Sequence, residues 1–354
     1  MTKIEQLQKH LNNGEGVLIV SGANRLYFTG FQSSAGVLLI TKNSADFLID
    51  FRYFEKAEKT IQHCSVILAT KTGEQLRDLA KSNGVNNVYV ETSYLSLDEL
   101  KRYEEIFADQ TVSYDSHFDR LISQLRQIKD EEELKKIKLA QSITDDTFSH
   151  ILKHLQVGKT EREIALEMEF YMRKQGSEGV SFDFIVVSGQ NSSLPHGVPT
   201  NKKIATGDFI TMDFGAVVDG YRSDMTRTVA VGAVTSKQRH VYKTVLEAQK
   251  TAFDAITPGA ICKNVDRAAR SYIDACGYAG RFGHGLGHSV GIEIHETPCF
   301  NTSDQTVLTP GMILTVEPGI YLPGEFGVRI EDMVYITDQG YDNLTASNKD
   351  LIIL

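Results

Sequence analysis

Four acidic side chains set in apolar surroundings are the residues of this sequence best placed to do chemistry. Asp213 and Asp224 stand in TMDFGAVVDGYRSDMTRTVAV, where one hydrophobic run meets Asp219-Gly220 and a second run follows. Asp-Gly between two such runs is a hairpin signal. A two-residue turn there sets Asp213 opposite Thr226 and diagonal to Asp224, so both carboxylates point the same way. Two ionised carboxylates pressed together repel, and burying them uncompensated costs on the order of several kcal/mol. Something cationic belongs between them.

The theme recurs with glutamate. Glu317 ends the apolar run ILTV, a Pro/Gly-rich loop intervenes, and Glu331 is expected inside the next strand, GVRIEDMVYI. Arg329, two residues away, offers the ordinary alternative of a structural ion pair. Between the two acidic hairpins lies GHGLGHSVGIEIHETP, residues 283–298, with His284, His288, His295 and four glycines that let the backbone fold tightly. It follows no clear strand and carries no phosphate-binding lysine, which argues against a nucleotide loop. Two carboxylates on each of two hairpins, with histidines between them, supply ligands for a pair of divalent ions. His150 and His154 are spaced i, i+4 and could also share a metal. Without the glutamate of a His-Glu-x-x-His pattern between them, they read as solvated or packed helix positions.

The elements that must position these residues are legible in outline. At 354 residues the chain is long enough for two domains, expected over residues 1–124 and 125–354. The first alternates strand patterns (residues 16–20, 26–31, 36–41, a run from 45 that turns helical near Phe54, and 88–91) with helices, one of them over 74–82. It therefore reads as an α/β domain with a mixed sheet. Asp50, Arg52 and Tyr53 at a strand end read as fixing a loop or a subunit contact. From residue 125 to 155 a long amphipathic helix is expected, opened by acidic residues that suit its dipole. A second helix, residues 160–175, begins with a Thr160/Glu163 capping box. Strands from 181, helices over 238–255 and 261–275, and further strands complete an α+β domain with helices on an antiparallel sheet.

The formal net charge of −9 opposes a broad electrostatic grip on nucleic acid or anionic lipid. Cys64, Cys262, Cys276 and Cys299 form no CxxC pair and read as reduced thiols. The first residues lack a signal-peptide apolar region, and no apolar run approaches ~18 residues. A cytoplasmic protein that does not enter the membrane is the expectation.

Taken in order, Asp213, Asp224, His288, Glu317 and Glu331, in the contexts MDFGAVVDGYRSDMTRT, GHGLGHSVG, TVEPGIY and GVRIEDM, resemble the pita-bread metallopeptidases, specifically the Xaa-Pro branch that contains aminopeptidase P and prolidase. LYFTGF and IDFRYFEKA match that pattern more loosely, and SSLPHGVPT matches its proline-histidine-glycine segment, which brings in His196. The resemblance implies a creatinase-like N-terminal domain and a catalytic domain built on a curved antiparallel sheet. It implies that the five residues hold two divalent metal ions, with Mn²⁺ favoured by the oxygen-rich donor set and Co²⁺ or Zn²⁺ as alternatives.

The implied reaction is hydrolysis, by hydroxide activated between the ions, of the bond between an N-terminal residue and a following proline. Glu317 would shuttle the proton, and His196 and His295 would hydrogen-bond the scissile amide and the intermediate. His284 would line the proline pocket. Arg329 would hold a dipeptide's carboxylate or orient Glu331. The implied partner is a small peptide with proline at its second position, and the assembly a homodimer or homotetramer.

FTGFQSSAG and IDFRY favour the aminopeptidase P type. A prolidase restricted to dipeptides, or a broader Met/Xaa-Pro aminopeptidase, is the alternative. Methionine aminopeptidases lack the N-terminal domain, creatinase-like hydrolases do not keep the metal ligands, and a non-catalytic binding module should have lost at least one of them.

Overall fold

Alternating apolar runs and capped helices build the first of two units, Met1–Arg126; the second is Gln127–Leu354, and the structure, a computed structural model, describes residues 1–354. The strands of the first unit are β1 (Glu15–Ile19), β2 (Val37–Thr41), β3 (Ala45–Ile49), β4 (Ser65–Leu68), β5 (Asn87–Val90) and β6 (Thr111–Ser113). They form one sheet in the order β4-β3-β2-β1-β5-β6, antiparallel for β1–β2 and β2–β3 and parallel elsewhere. Its helices are α1 (Lys3–Gln8), α2 (Gly22–Thr29), α3 (Phe51–Thr60), α4 (Thr72–Ser82), α5 (Leu97–Ile106) and α6 (His117–Gln127).

One expected strand in this unit is a helix. Residues 26–29 close α2, with Ser21 accepting from the Asn24 N–H at its start and Gly30 left-handed (φ 65°) at its end. An apolar run this short fits either period, and here the caps decide. Asp50 caps α3 and pairs with Arg52, while the Tyr53 hydroxyl meets Ser34 Oγ at 2.8 Å. These contacts all lie within the first unit.

The second unit carries α7 (Glu131–Ile151), α8 (Glu161–Lys174), α9 (Ser236–Asp254) and α10 (Cys262–Ile273). The helix expected to run unbroken from residue 125 to 155 is in fact two, α6 and α7. Asp130 is extended (φ −77°, ψ 176°) and closes a capping box with Glu133 that starts α7 afresh. The Thr160/Glu163 capping box of α8 forms as expected.

The strands of this unit are β7 (Ile185–Ser188), β8 (Phe209–Phe214), β9 (Val217–Val218), β10 (Tyr221–Arg222), β11 (Met225–Ala230), β12 (Gly287–Ser289), β13 (Glu296–Phe300), β14 (Ile313–Val316), β15 (Gly319–Leu322), β16 (Phe326–Arg329), β17 (Asp332–Thr337) and β18 (Gly340–Asn343). All their pairings are antiparallel, in the orders β11-β8-β7, β10-β9, β13-β12-β14-β17-β18 and β15-β16. Two helix pairs cover them. Ile164, Met168 and Met172 of α8 and Ile143 and Phe148 of α7 pack on Val186, Ile210, Met212 and Met225. Val245, Ala248, Val265 and Ala269 of α9 and α10 pack on Leu314, Val316, Val328 and Val334. Each fully buried Ile, Val, Met or Phe of these cores contributes roughly 1.5–3 kcal/mol of transfer free energy, so the polar face of the sheets is held by two rigid apolar layers.

Candidate metal centre and cleft

Two hairpins bring the acidic residues together. In the first, Tyr221 pairs with Val218 across the turn at Asp219-Gly220, and Thr226 pairs with Asp213. The register is the same throughout, so Asp224 lies opposite Gly215 and diagonal to Asp213. Asp219 (φ 47°) and Gly220 (φ 77°) are both left-handed, the geometry of a type I′ turn. A Cβ on Gly215 would lie 1.8 Å from the Ser223 carbonyl oxygen, so only glycine permits this approach beside Asp224.

In the second hairpin, Val316 pairs with Asp332 and Gly319 with Arg329, which sets Glu317 opposite Glu331. Glu331 was expected inside a strand, yet it falls between β16 and β17. Pro318 has no N–H to continue the ladder, and the Glu331 N–H instead donates to the Thr226 carbonyl at 3.1 Å. The two hairpins are thereby joined. Arg227 joins them a second time, through a fully buried ion pair to Asp332 at 2.7 Å.

His288 approaches from β12. A Cβ on Gly287 would lie 2.0 Å from the Thr315 carbonyl oxygen, so glycine is what lets β12 close on β14 here. His288 Nδ1–H donates to the Ser289 carbonyl at 3.2 Å, and this tautomer leaves the Nε2 lone pair facing Asp224 (3.6 Å) and Glu317 (3.5 Å). One ligand atom each of Asp224, His288 and Glu331 lie within 4.8 Å of one another.

Arg329 sits among the carboxylates with four of its five N–H groups engaged. It donates to Asp213 Oδ2 (2.7 Å), to the Tyr321 hydroxyl (2.8 Å), to Thr226 Oγ1 (3.1 Å) and to the Pro195 carbonyl (3.3 Å). Thr226 in turn donates its hydroxyl hydrogen bond to Glu331 Oε2 at 2.7 Å. Of the two roles that the sequence left open for Arg329, the contact made is with Asp213, and Glu331 is reached through Thr226.

Burial, followed by the neighbouring Glu331, Asp213 and Glu317, pushes the Asp224 carboxyl far above its ordinary value. Glu331 is raised likewise by burial and by Glu317 and Asp213. Burial raises Glu317 to about 8, although Arg329 opposes the shift. His288 is lowered to about 4, by burial and then by His295.

These residues fit divalent cations. Four carboxylates face one guanidinium, Arg329 being the one Lys or Arg that lines the cleft, and three negative charges stay uncompensated when all are ionised. Asp213 Oδ1 and Asp224 Oδ1 are buried and find no hydrogen-bond partner in the protein. In a buried site such atoms need a proton or a cation.

Above the cluster lies a cleft of about 540 Å³, within the range of small-ligand sites. His196, His284 and His295 all border it. The His295 ring stands edge-on to His288, with centroids 4.5 Å apart, and is lowered by burial and by His196. His284 keeps both nitrogens occupied, Nδ1–H on the Gly285 carbonyl (2.8 Å) and Nε2 on the Tyr321 hydroxyl (2.9 Å), so its ring presents apolar surface. Burial, then Arg329, lowers it to about 4.

Sequence reading missed several participants. Thr226 and Tyr321 tie Arg329 in place; Phe182, Asp183 and Ile294 wall the cleft, and Arg281 lines an adjoining recess of about 490 Å³ that shares Pro195, His196 and His284 with it. Tyr321 had a signal, since it pairs with Gly327 in the second hairpin, where a side chain would strike the Ser192 carbonyl.

Residues 135–338 match the metallopeptidase family M24, and residues 3–128 match the creatinase/prolidase N-terminal domain. This chain belongs to metallopeptidase family M24, with the two-domain creatinase-like plan and a pita-bread catalytic domain. It is similar to the Xaa-Pro dipeptidase of Pyrococcus horikoshii, at 39% identity over 344 residues, which are 96% of this chain and 95% of the relative. Among solved structures it resembles an Xaa-Pro dipeptidase from Bacillus anthracis (41% identity, TM-score 0.95, 99% of each chain). It also resembles an X-Pro aminopeptidase from Thermotoga maritima (34% identity, TM-score 0.92, 98% of this chain and 100% of the other). No helix of the chain is long and apolar enough to cross a membrane.

Proposed function

We propose that this protein hydrolyses the peptide bond on the amino side of a proline that is second in its peptide. The observation that carries this reading is the buried group of four carboxylates and one imidazole at the floor of a cleft bordered by three histidines. The names of its full-length relatives support the same substrate class.

Asp213, Asp224, His288, Glu317 and Glu331 would hold two divalent ions. Their oxygen-rich donor set favours Mn²⁺, with Co²⁺ or Zn²⁺ able to substitute. When bound, such ions supply Lewis-acid polarisation of the scissile carbonyl and water acidic enough to attack near neutral pH. Glu317, with one oxygen on the Thr315 hydroxyl at 3.3 Å, has its other oxygen to take a proton from the attacking water and return it to the departing proline nitrogen. His196 and His295, both exposed to the cleft, donate to the scissile amide and to the oxygen that gains charge. Arg329, donating to Asp213 Oδ2 at 2.7 Å, fixes that carboxylate in direction.

Proline brings no N–H to be satisfied. The His284 ring, its polar atoms already paired, makes an apolar wall that suits the pyrrolidine.

For the finer choice we favour the aminopeptidase P type. The recess beyond His284, bounded by Arg281, Tyr321 and Pro323, gives a peptide room to continue past proline. A dipeptidase is the second reading, favoured by the relatives' names and by the Arg281 guanidinium, which suits a terminal carboxylate. Comparing kcat/KM for an Xaa-Pro dipeptide and an Xaa-Pro-Xaa tripeptide, each with Mn²⁺, tests both. Comparable or faster tripeptide cleavage supports the first reading, dipeptide-only cleavage the second, and neither substrate being cleaved overturns the assignment. The same reading takes the protein as a cytoplasmic homodimer or homotetramer, in keeping with four unbridged cysteines.

A further inference from the structure

Away from the cleft, α7 and α8 present a second group of metal-ligating side chains. His150 lies in the last turn of α7, His154 in the turn that follows the helix, and Glu167 of α8 reaches across to them, the carboxylate that the i, i+4 pair lacks in sequence. The helices are locked beneath by Ile151, Ile164, Met168 and Met172. His150 Nε2 lies 2.7 Å from Glu167 Oε1. Its ring stacks on Tyr171 (centroids 3.9 Å apart, planes at 10°) and meets the tilted ring of His154 (4.2 Å, 34°). His154 donates Nδ1–H to the His150 carbonyl at 3.0 Å, which fixes its tautomer and leaves Nε2 as an unshared lone pair. One ligand atom from each of the three lies within 4.8 Å of the other two.

We propose that His150, His154 and Glu167 form a second metal site, for a borderline divalent transition ion of the Zn²⁺, Ni²⁺ or Cu²⁺ class, which clamps α7 to α8. Two imidazoles and one carboxylate suit these ions and not Mg²⁺ or Ca²⁺, and Mn²⁺ is the weakest of the first-row series at such donors. The nitrogen-rich group therefore selects a different ion from the oxygen-rich cluster beneath the cleft, with which it shares no residue. Binding asks for little rearrangement. The His150 proton moves to Nδ1, and the 2.7 Å contact opens to roughly 3.3 Å, the tetrahedral edge for ligands about 2.0–2.1 Å from an ion. His154 is exposed, which leaves the remaining coordination position to solvent. Because the ligands come from α7, the turn after it and α8, the ion binds the folded pair and stabilises it by mass action.

The test uses Mn²⁺-loaded wild type and the His154→Ala variant, a change at an exposed position, with Glu167→Gln as a second variant. Each is equilibrated with Zn²⁺ and desalted, total metal per chain is measured, and Cu²⁺ paramagnetic resonance is recorded. The proposal expects wild type to keep about one Zn²⁺ per chain more than His154→Ala and to gain more in Tm from added Zn²⁺. Its Cu²⁺ spectrum should show coupling to two imidazole nitrogens, reduced to one in the variant, with equal Mn²⁺-dependent turnover. Equal Zn²⁺ content and equal Tm response in wild type and both variants would overturn it, whatever substrate the cleft takes.

Discussion

Arg329 Nη2 donates to Asp213 Oδ2 at 2.7 Å in a site where both side chains are buried, and this single guanidinium stands among four carboxylates. Breaking a buried pair by removing one partner leaves an uncompensated charge. Arg329→Met should therefore lower stability by about 3–5 kcal/mol in urea denaturation at neutral pH. Arg329→Lys should recover only part of this, because an ammonium cannot reach Asp213, Tyr321, Thr226 and Pro195 from one plane. A change under about 0.5 kcal/mol for the methionine variant, the size of an ordinary surface substitution, would contradict the role given to the pair.

The ligand positions make a different prediction. Asp213→Asn or Glu331→Gln keeps shape and hydrogen-bonding capacity while removing a charge. Turnover of Xaa-Pro substrate should fall by about 10³-fold or more with metal supplied, the scale of losing a key electrostatic group, while the circular dichroism spectrum and Tm change little. Wild-type turnover in either variant would remove these residues from the cage.

His196 is exposed on the cleft wall, so His196→Ala tests chemistry apart from folding. We expect kcat to drop about 10²-fold, the effect of removing a positioned donor or general acid, with a smaller change in KM. Unchanged kcat would return His196 to a lining role.

The pH dependence of stability follows from Glu317. Its carboxyl is raised to about 8 in the folded, metal-free protein, from an ordinary value of 4.5. The folded state then holds a proton that the unfolded chain releases, so this contribution is complete below about pH 4.5 and is lost as pH rises through about 8. Histidines lowered by burial work in the opposite sense, and the comparison must therefore be differential. Between about pH 5 and about pH 8, metal-free wild type should lose Tm relative to Glu317→Gln, and added Mn²⁺ should abolish the difference. Parallel Tm curves for the two proteins would contradict the raised value.

The hairpin of Asp213 and Asp224 was legible because Asp-Gly fixes a two-residue turn, and the turn then fixes every cross-strand partner as far as Thr226. The pairing of Glu317 with Glu331 was legible only in outline. Its ladder is interrupted where Pro318 has no proton to give, and the sequence does not say that Glu331 turns to Thr226 instead. Residues 26–29 were misread as strand because so short a run carries no period, and the break before α7 was hidden by the continuous charge pattern on either side of Asp130. Arg281 and Glu167 owe their places to segments that meet only in the tertiary fold. No spacing along the chain points from His150 to Glu167.

The central claim is that Asp213, Asp224, His288, Glu317 and Glu331 together hold two divalent ions that peptide cleavage requires. Chelator-treated protein, titrated with Mn²⁺ while release of the first residue from an Xaa-Pro peptide is followed, tests it directly. Activity should be absent at the start and rise to a plateau as about two ions bind per chain, the stoichiometry of a two-metal site. Full turnover by metal-free protein, or Mn²⁺ uptake unaltered when Asp224 and Glu331 are both replaced by their amides, would contradict the claim.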